Sequence, residues 1–255
     1  MKKLAGLCLL VMSFSLVGFG QTGHRVTGEI AEKYLTDKAR AEIRAILGNY
    51  SLAEISTYFD EQRANPSEFW QKTANPWHYM TVPDGETYHD HMAPEEGDAI
   101  TAIRDYTAQL KDPKTSKADK ALALKFLVHT IADLHQPLHV GNGTDRGGND
   151  VKLDFFWQRS NLHRVWDSGM IDRLQLSYTE LTDWLHSKIT EQQLKDWHST
   201  DPLVWAKESQ MLRMSLYPEG DSISWEYQYQ HIDTVKLRLS QAGVRIAYYL
   251  NEVFE

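Results

Sequence analysis

His129-Thr130-Ile131-Ala132-Asp133-Leu134-His135-Gln136-Pro137-Leu138-His139 is the stretch whose reading decides the rest of the chain. It continues Ala121-Leu122-Ala123-Leu124-Lys125-Phe126-Leu127-Val128, a run of good helix formers without glycine or proline, so a buried helix over 118–135 is expected. Burying a carboxylate and imidazoles in such a helix costs several kcal/mol unless they are paired or bound to metal. His129 and Asp133 stand four apart, on one helix face and one turn from each other. Pro137 disfavours helical backbone at Gln136 and ends or kinks the helix there, freeing His139 to return toward the same point. A hydrogen-bonded His–Asp pair would explain the first two residues. The addition of His139 favours metal, and this ligand mix suits Zn²⁺.

A second pair repeats the first. Asn161-Leu162-His163-Arg164-Val165-Trp166-Asp167 again sets His and Asp four apart among apolar neighbours, in a stretch (161–174) expected to be helical. Two matching pairs point to a cluster of several metals. Asp60, after Ile55-Ser56-Thr57-Tyr58-Phe59, and His78, between Trp77 and Tyr79, are polar residues in aromatic surroundings. His24 follows Gly23 at a helix start. Each of these three alone reads as an ordinary hydrogen-bonded residue.

Around these motifs the chain reads as mainly helical. Helices are expected over 24–47, with Thr36-Asp37 interrupting or recapping and Gly48 closing, and over 98–110, 180–189, 202–216 and 232–254. The last places Ile232, Val235, Leu239, Ala242, Ile246, Tyr249 and Val253 on one face. Residues 77–82 read as a short extended piece, 141–149 as a glycine-rich loop, and 151–155 as a short strand. No repeat or linker divides the chain, so one all-α domain over 19–255 is expected.

Lys2 and Lys3 precede an apolar run, Leu4 to Val17, in the form of a secretory signal peptide, so a secreted or periplasmic protein is expected. Cleavage after Gly18 or after Gly20 both fit. The single cysteine, Cys8, lies in that run, so the mature chain has no disulfide and bound metal is the expected staple. The run is too short for a membrane span, so no anchor is expected in the mature chain. Net charge is −8, two units more negative without Lys2 and Lys3, which disfavours nucleic-acid binding through a broad basic surface. Any phosphate chemistry needs local positive charge, as metal ions would provide.

The segments Gly23-His24, Asp60, Trp77-His78-Tyr79, His129-x-x-x-Asp133-x-His135-Gln136-Pro137-Leu138-His139, Gly147-Gly148-Asn149 and Asn161-Leu162-His163-x-x-Trp166-Asp167 occur together in this order. In them the chain resembles the zinc-dependent nucleases of fungi, plants and bacteria, which share a fold with zinc phospholipase C. The resemblance implies a compact helical bundle of the phospholipase C/nuclease type, with three Zn²⁺ ions at the bottom of a cleft. It implies that Asp60, His78, His129 and Asp133 hold one zinc, and that His139, His163 and Asp167 hold another. The third would be held by His24, the bridging Asp133 and the mature N-terminal residue. The family has Trp five residues before the His, where this chain has Phe19. Cleavage after Gly18 would make Phe19 that ligand; cleavage after Gly20 would leave the third site incomplete. His135 has no ligand role in this scheme and is expected either to back the metal-bound groups or to serve a structural role.

Asp60, Arg63 and Asn149 are the candidate catalytic residues, the latter two as donors to non-bridging phosphate oxygens. Tyr79 stands where the resemblance implies an aromatic that stacks on a substrate base. Fungal members carry an acidic base-reading residue two positions later, where this chain has Thr81, so base preference does not carry over. The expected function is a monomeric zinc endonuclease that hydrolyses single-stranded RNA and DNA to 5′-phosphorylated products and acts on 3′-nucleotides. A zinc phospholipase C is the alternative enzyme. Asp167 argues against it, since that branch usually has Glu in the corresponding place. A secreted protein with structural zinc is the non-catalytic alternative.

Overall fold

The computed structural model describes residues 20–255; Phe19 and the expected signal peptide lie outside them. The chain starts with α1 (Gln21–Tyr34) and α2 (Asp37–Leu47), and the side chain of Thr36 caps α2 by accepting from the Ala39 amide. Gly48, at φ 70°, closes α2. Next come α3 (Leu52–Ile55), α4 (Tyr58–Glu61), a 3-10 turn at Gln62–Ala64 and a π turn at Phe69–Thr73. A second 3-10 turn, Asn75–His78, leads into β1 (Met80–Thr81).

α5 (Ala99–Lys111) is capped by Asp98, and α6 (Lys117–Asp133) by Ser116. A 3-10 turn at Pro137–His139 precedes β2 (Val140–Gly141), which pairs in parallel with β1. β3 (Lys152–Phe155) and β4 (Gln158–Asn161) form an antiparallel hairpin. α7 (Leu162–Arg164), a π turn at Val165–Gly169 and α8 (Met170–Asp172) follow without a break. α9 (Tyr178–His186), α10 (Glu191–Asp196) and α11 (Pro202–Arg213) lead to β5 (Ser222–Ile223), which adds to β3. α12 (Trp225–Phe254) ends the chain.

The fold is mainly helical, as expected, with two small sheets. α6 is its axis. From Phe126 to Asp133 every residue of α6 is buried, with α1, α2, α4, α5 and α12 packed around it. A helix buried on all sides belongs at the centre of the bundle and not on its surface. α1 lies close against α12 at Gly243, where a Cβ would stand 2.5 Å from the Ile30 Cβ. Glycine is what allows the two backbones to approach.

Three expectations need correction. Trp77 and His78 belong to a 3-10 turn, because Pro76 at its start favours a helical φ, and only Met80–Thr81 is extended. The final helix begins seven residues before 232; its first two turns carry Tyr227 against the Trp166 indole instead of the expected apolar stripe. The short α10 was not anticipated, and none of its residues is buried.

Candidate metal centre and cleft

Five separate segments converge on one buried point. α6 supplies His129 and Asp133 from successive turns, α1 supplies His24 and α4 supplies Asp60. The 3-10 turns at Asn75–His78 and Pro137–His139 supply His78 and His139. α6 ends at Asp133, earlier than residue 135, and Gln136 takes the extended conformation that Pro137 demands. That reversal brings His139 back beneath Asp133. α7 and its π turn supply His163 and Asp167, whose Nε2 and Oδ2 are 3.0 Å apart.

The Asp133 carboxylate is the hub. Its Oδ2 lies 3.0 Å from His78 Nδ1 and 3.1 Å from His129 Nε2, while its Oδ1 lies 3.3 Å from His24 Nε2 and 3.6 Å from His139 Nδ1. Asp60 stands 3.9–4.0 Å from His24, His78 and His129. His139 Nε2 is 3.4 Å from Asp167 Oδ1. Three groups arise that can each hold a metal ion: His24, His129 and Asp133; Asp60, His78 and His129; His139, His163 and Asp167. All eight expected ligands within the described residues are in these groups, with His129 shared by two. Phe19 lies outside the described residues. Gly20 beside it donates its amide to the Asp167 carbonyl at 2.6 Å.

The imidazoles are oriented by backbone carbonyls. His129 Nδ1 donates to the Ser56 carbonyl at 2.7 Å, His139 Nδ1 to that of His78 at 2.6 Å, and His163 Nδ1 to that of Gly147 at 2.7 Å. In each case the lone pair of Nε2 is directed into the cluster, the usual device for fixing the tautomer of a metal ligand. Gly147, at φ 61°, lies so close to the Leu138 carbonyl that no Cβ would fit, which keeps its own carbonyl on His163. The Gln136 amide donates to Asp167 Oδ1, holding that carboxylate from behind.

Metal fits these residues. Asp60 Oδ2, Asp133 Oδ1, His139 Nε2 and Asp167 Oδ2 are buried and accept or donate no hydrogen bond among the described residues. Such atoms are costly unless something else satisfies them. A cation would, and the set of imidazole and carboxylate donors is the one zinc takes.

Electrostatics divides the cluster. Burial opposes charge on Asp133, but His129 and His139 hold it well below the usual carboxylate range. Asp167 is depressed in the same way, by His163 and His139 against its burial. Burial pushes His78 down to about 4 and also lowers His24. His139 goes the other way: despite burial, Asp133 and Asp167 raise it to about 9.

Above the cluster opens a cleft of about 290 Å³, lined by Arg63, His78, Tyr79, Thr81, His139, Asn149 and His163, among others. Arg63 Nε donates to Asp60 Oδ1 at 2.8 Å, so this guanidinium is tied to the cluster and is no free surface charge. Tyr79 is 38% exposed and faces the cleft instead of the core. Asn149 is buried at the cleft wall, with one amide N–H donated to the Arg146 carbonyl at 2.9 Å. His135 takes no part in the metal groups; it donates from Nδ1 to the Ile131 carbonyl at 2.8 Å and accepts from Arg245. Gln136 and Arg146 escape a reading based on ligand spacing. The extended residue before a proline was the only hint of the first, and a lone cation in a glycine loop of the second.

Fold and site define a class: a helical bundle with clustered histidine and aspartate groups, able to hold metal, beneath an open cleft. Residues 19–255 match the S1/P1 nuclease family, and the chain belongs to that family. It is an enzyme of the nuclease class. Among its relatives, Endonuclease 2 of Arabidopsis thaliana is 29% identical, over 96% of this chain and 94% of the relative. Nuclease P1 of Penicillium citrinum is 26% identical, over 92% of this chain and 97% of the relative. Nuclease S1 of Aspergillus oryzae is also 26% identical, over 92% of this chain and 91% of the relative. No helix of the described residues is long and apolar enough to cross a membrane.

Proposed function

We propose that the protein is a zinc-dependent endonuclease that hydrolyses single-stranded RNA and DNA to 5′-phosphorylated products and removes phosphate from 3′-nucleotides. One observation carries the reading: three buried His/Asp groups lie at the base of a cleft that also contains Arg63 and the exposed ring of Tyr79. Asp60, His78, His129 and Asp133 hold one ion, His139, His163 and Asp167 a second, and His24 with Asp133 a third, completed by Phe19 as the mature N-terminal residue. The Gly20–Asp167 contact supports that last assignment, since it sets the neighbour of Phe19 against the cluster. The chain acts as a monomer outside the cytoplasm after loss of its signal peptide.

Zinc held by these residues would supply Lewis acidity and make water a nucleophile near neutral pH. The residues do the rest. Arg63, its plane fixed by Asp60, neutralises a non-bridging phosphate oxygen and stabilises charge that grows in the transition state. Asn149 has a second amide N–H and donates it to the other non-bridging oxygen. Tyr79 stacks on a base, a contact open only to bases that have left a duplex.

The test counts metal and identifies the N-terminus on one purified sample, then follows cleavage of single-stranded RNA, single-stranded DNA, duplex DNA and lecithin. Zinc near three per chain, cleavage of both single strands and 5′-phosphorylated products support the reading. Lecithin hydrolysis without nuclease activity would favour a phospholipase, and zinc with neither activity a structural role.

A further inference from the structure

The glycine-rich loop between β2 and β3 contains one residue whose conformation is unfavourable for its type. Arg146 has φ 54°, in the left-handed region, beside Gly143, Gly147 and Gly148 at φ 86°, 61° and 78°. Glycine takes this conformation freely, whereas a residue with a Cβ is disfavoured there. The loop imposes it from every side. The Arg146 carbonyl accepts from the Asn149 amide and backbone, Asp145 Oδ1 accepts from the Gly148 amide at 3.0 Å, and Asp145 Oδ2 accepts from the Tyr217 hydroxyl at 2.6 Å. Gly147 and Gly148 are engaged by His163 in turn. Nothing in this framework uses the Arg146 side chain.

That side chain lines the cleft. Arg63 and Arg146 are the two arginines among the lining residues, and they are placed differently. Arg63 is 23% exposed and bonded to Asp60 on the cleft floor; Arg146 is 66% exposed at the rim. Its one ion pair, with Asp150 at 3.5 Å, is open to solvent on both sides and therefore weak. Tyr79 lines the same cleft. A nucleotide whose base rests on Tyr79 presents its own backbone phosphate beside that ring. A guanidinium there can bind the phosphate with two parallel hydrogen bonds.

We propose that Arg146 is a specificity-determining residue that grips the non-scissile phosphate flanking the cleaved bond, so that the enzyme favours oligonucleotides over substrates with a single phosphate. This rests on the reading of the protein as a single-strand nuclease. A rigid glycine loop with a single arginine in it, held above an acidic protein's metal cluster, selects for strand length without a broad basic surface.

The test compares zinc-loaded wild type, Arg146→Gly and Arg146→Lys on single-stranded oligothymidylate and on bis(p-nitrophenyl) phosphate, a diester with no flanking phosphate. Glycine suits the local backbone, so zinc content and melting temperature report directly that fold and cluster are intact. Arg146→Gly should raise KM on the oligonucleotide about tenfold, as expected for one lost charge-assisted contact, and lower the ratio of oligonucleotide to diester kcat/KM to match. The slope of log KM against log salt should fall by about 0.7, one phosphate contact on a single strand. Arg146→Lys should keep most of that slope. Equal losses on both substrates, or an unchanged salt slope, would overturn the assignment. Wild type that cleaves the diester but not the oligonucleotide overturns the nuclease reading, and this inference with it.

Discussion

Asp133 has imidazoles on both sides of its carboxylate, two at each oxygen, and is fully buried. A carboxylate so placed screens neighbouring dications from each other, which an amide cannot do. Asp133→Asn should therefore abolish turnover on single-stranded RNA even where some zinc remains, while Asp167→Asn should empty only the group with His139 and His163. Zinc per chain and turnover, measured on both variants, check this; full metal and near-normal activity in Asp133→Asn would show that it only hydrogen-bonds. His139 makes a second prediction at this scale. Its metal-free value of about 9 lies above 6.5, so its contribution to stability is complete below 6.5 and lost as pH rises through 9. A ligand must be neutral, so zinc has to displace that proton at pH 7. His129 is raised as well, by Asp133 and Asp60 against its burial, whereas His78 is already neutral. Zinc loading at pH 7 should release about one to two protons per chain. Calorimetry in buffers of different ionisation enthalpy would detect them, and proton-silent binding would count against these environments.

α6 delivers two ligands only if the chain just beyond its end is held in place. α11 and α12 hold it there. Ser209 Oγ donates to the Leu134 carbonyl at 2.5 Å, and Arg238 Nε to that of His135 at 2.9 Å. Arg245 donates to His135 Nε2 at 3.2 Å, and burial with Arg238 and Arg245 nearby keeps that imidazole neutral. Two buried guanidiniums need a counter-charge, which Glu208 provides to both at 2.5–2.7 Å. Burial opposes the Glu208 charge, but Arg245 and Arg238 lower its pKa below 4.5. Its contribution is thus present above 4.5 and lost as pH falls through the depressed value. Glu208→Gln should destabilise by about 2–3 kcal/mol at pH 7, the low side of the range for a broken buried pair, because Glu208 is partly in water. Denaturant melts at pH 7 and pH 3 check this: the deficit should shrink at the lower pH. A deficit independent of pH would assign the effect to packing.

For the whole molecule, the metal groups join α1, α4, α6, α7 and the 3-10 turns at Asn75–His78 and Pro137–His139, so metal bound there would act as the staple that a chain without disulfides lacks. Chelation should lower the melting temperature sharply, since metal binding contributes directly to folding free energy and its removal leaves buried carboxylate oxygens without a partner. An unchanged melting temperature, with zinc shown to be absent, would sink this. The same geometry restricts substrates. The proposed preference for single strands rests on a cleft of about 290 Å³ with Tyr79 in its wall. Tyr79→Ala should weaken single-strand binding by about 1–3 kcal/mol while sparing zinc content. Equal wild-type rates on matched single and double strands would refute the stacking role.

The helical class, the burial of α6, the two His/Asp pairs and the helix boundaries at Thr36 and Gly48 were legible in the sequence. Each depends on residues within a turn of one another, and helix pitch alone sets their relation. The approach of His24, Asp60 and His78 to α6 could be read only through family resemblance, because no local rule relates residues so far apart. Only the tertiary structure decided which way the imidazoles face. His129 is turned by a carbonyl 73 residues away and His139 by one 61 residues away, and a backbone carbonyl has no signature in the sequence. The same holds for His135, three-dimensionally a helix anchor though it lies inside the metal motif, and for Arg146, whose strained backbone is imposed by partners as distant as Tyr217 on its neighbour Asp145. Local pitch writes pairs into a sequence; the direction of a lone pair depends on what the rest of the chain packs behind it.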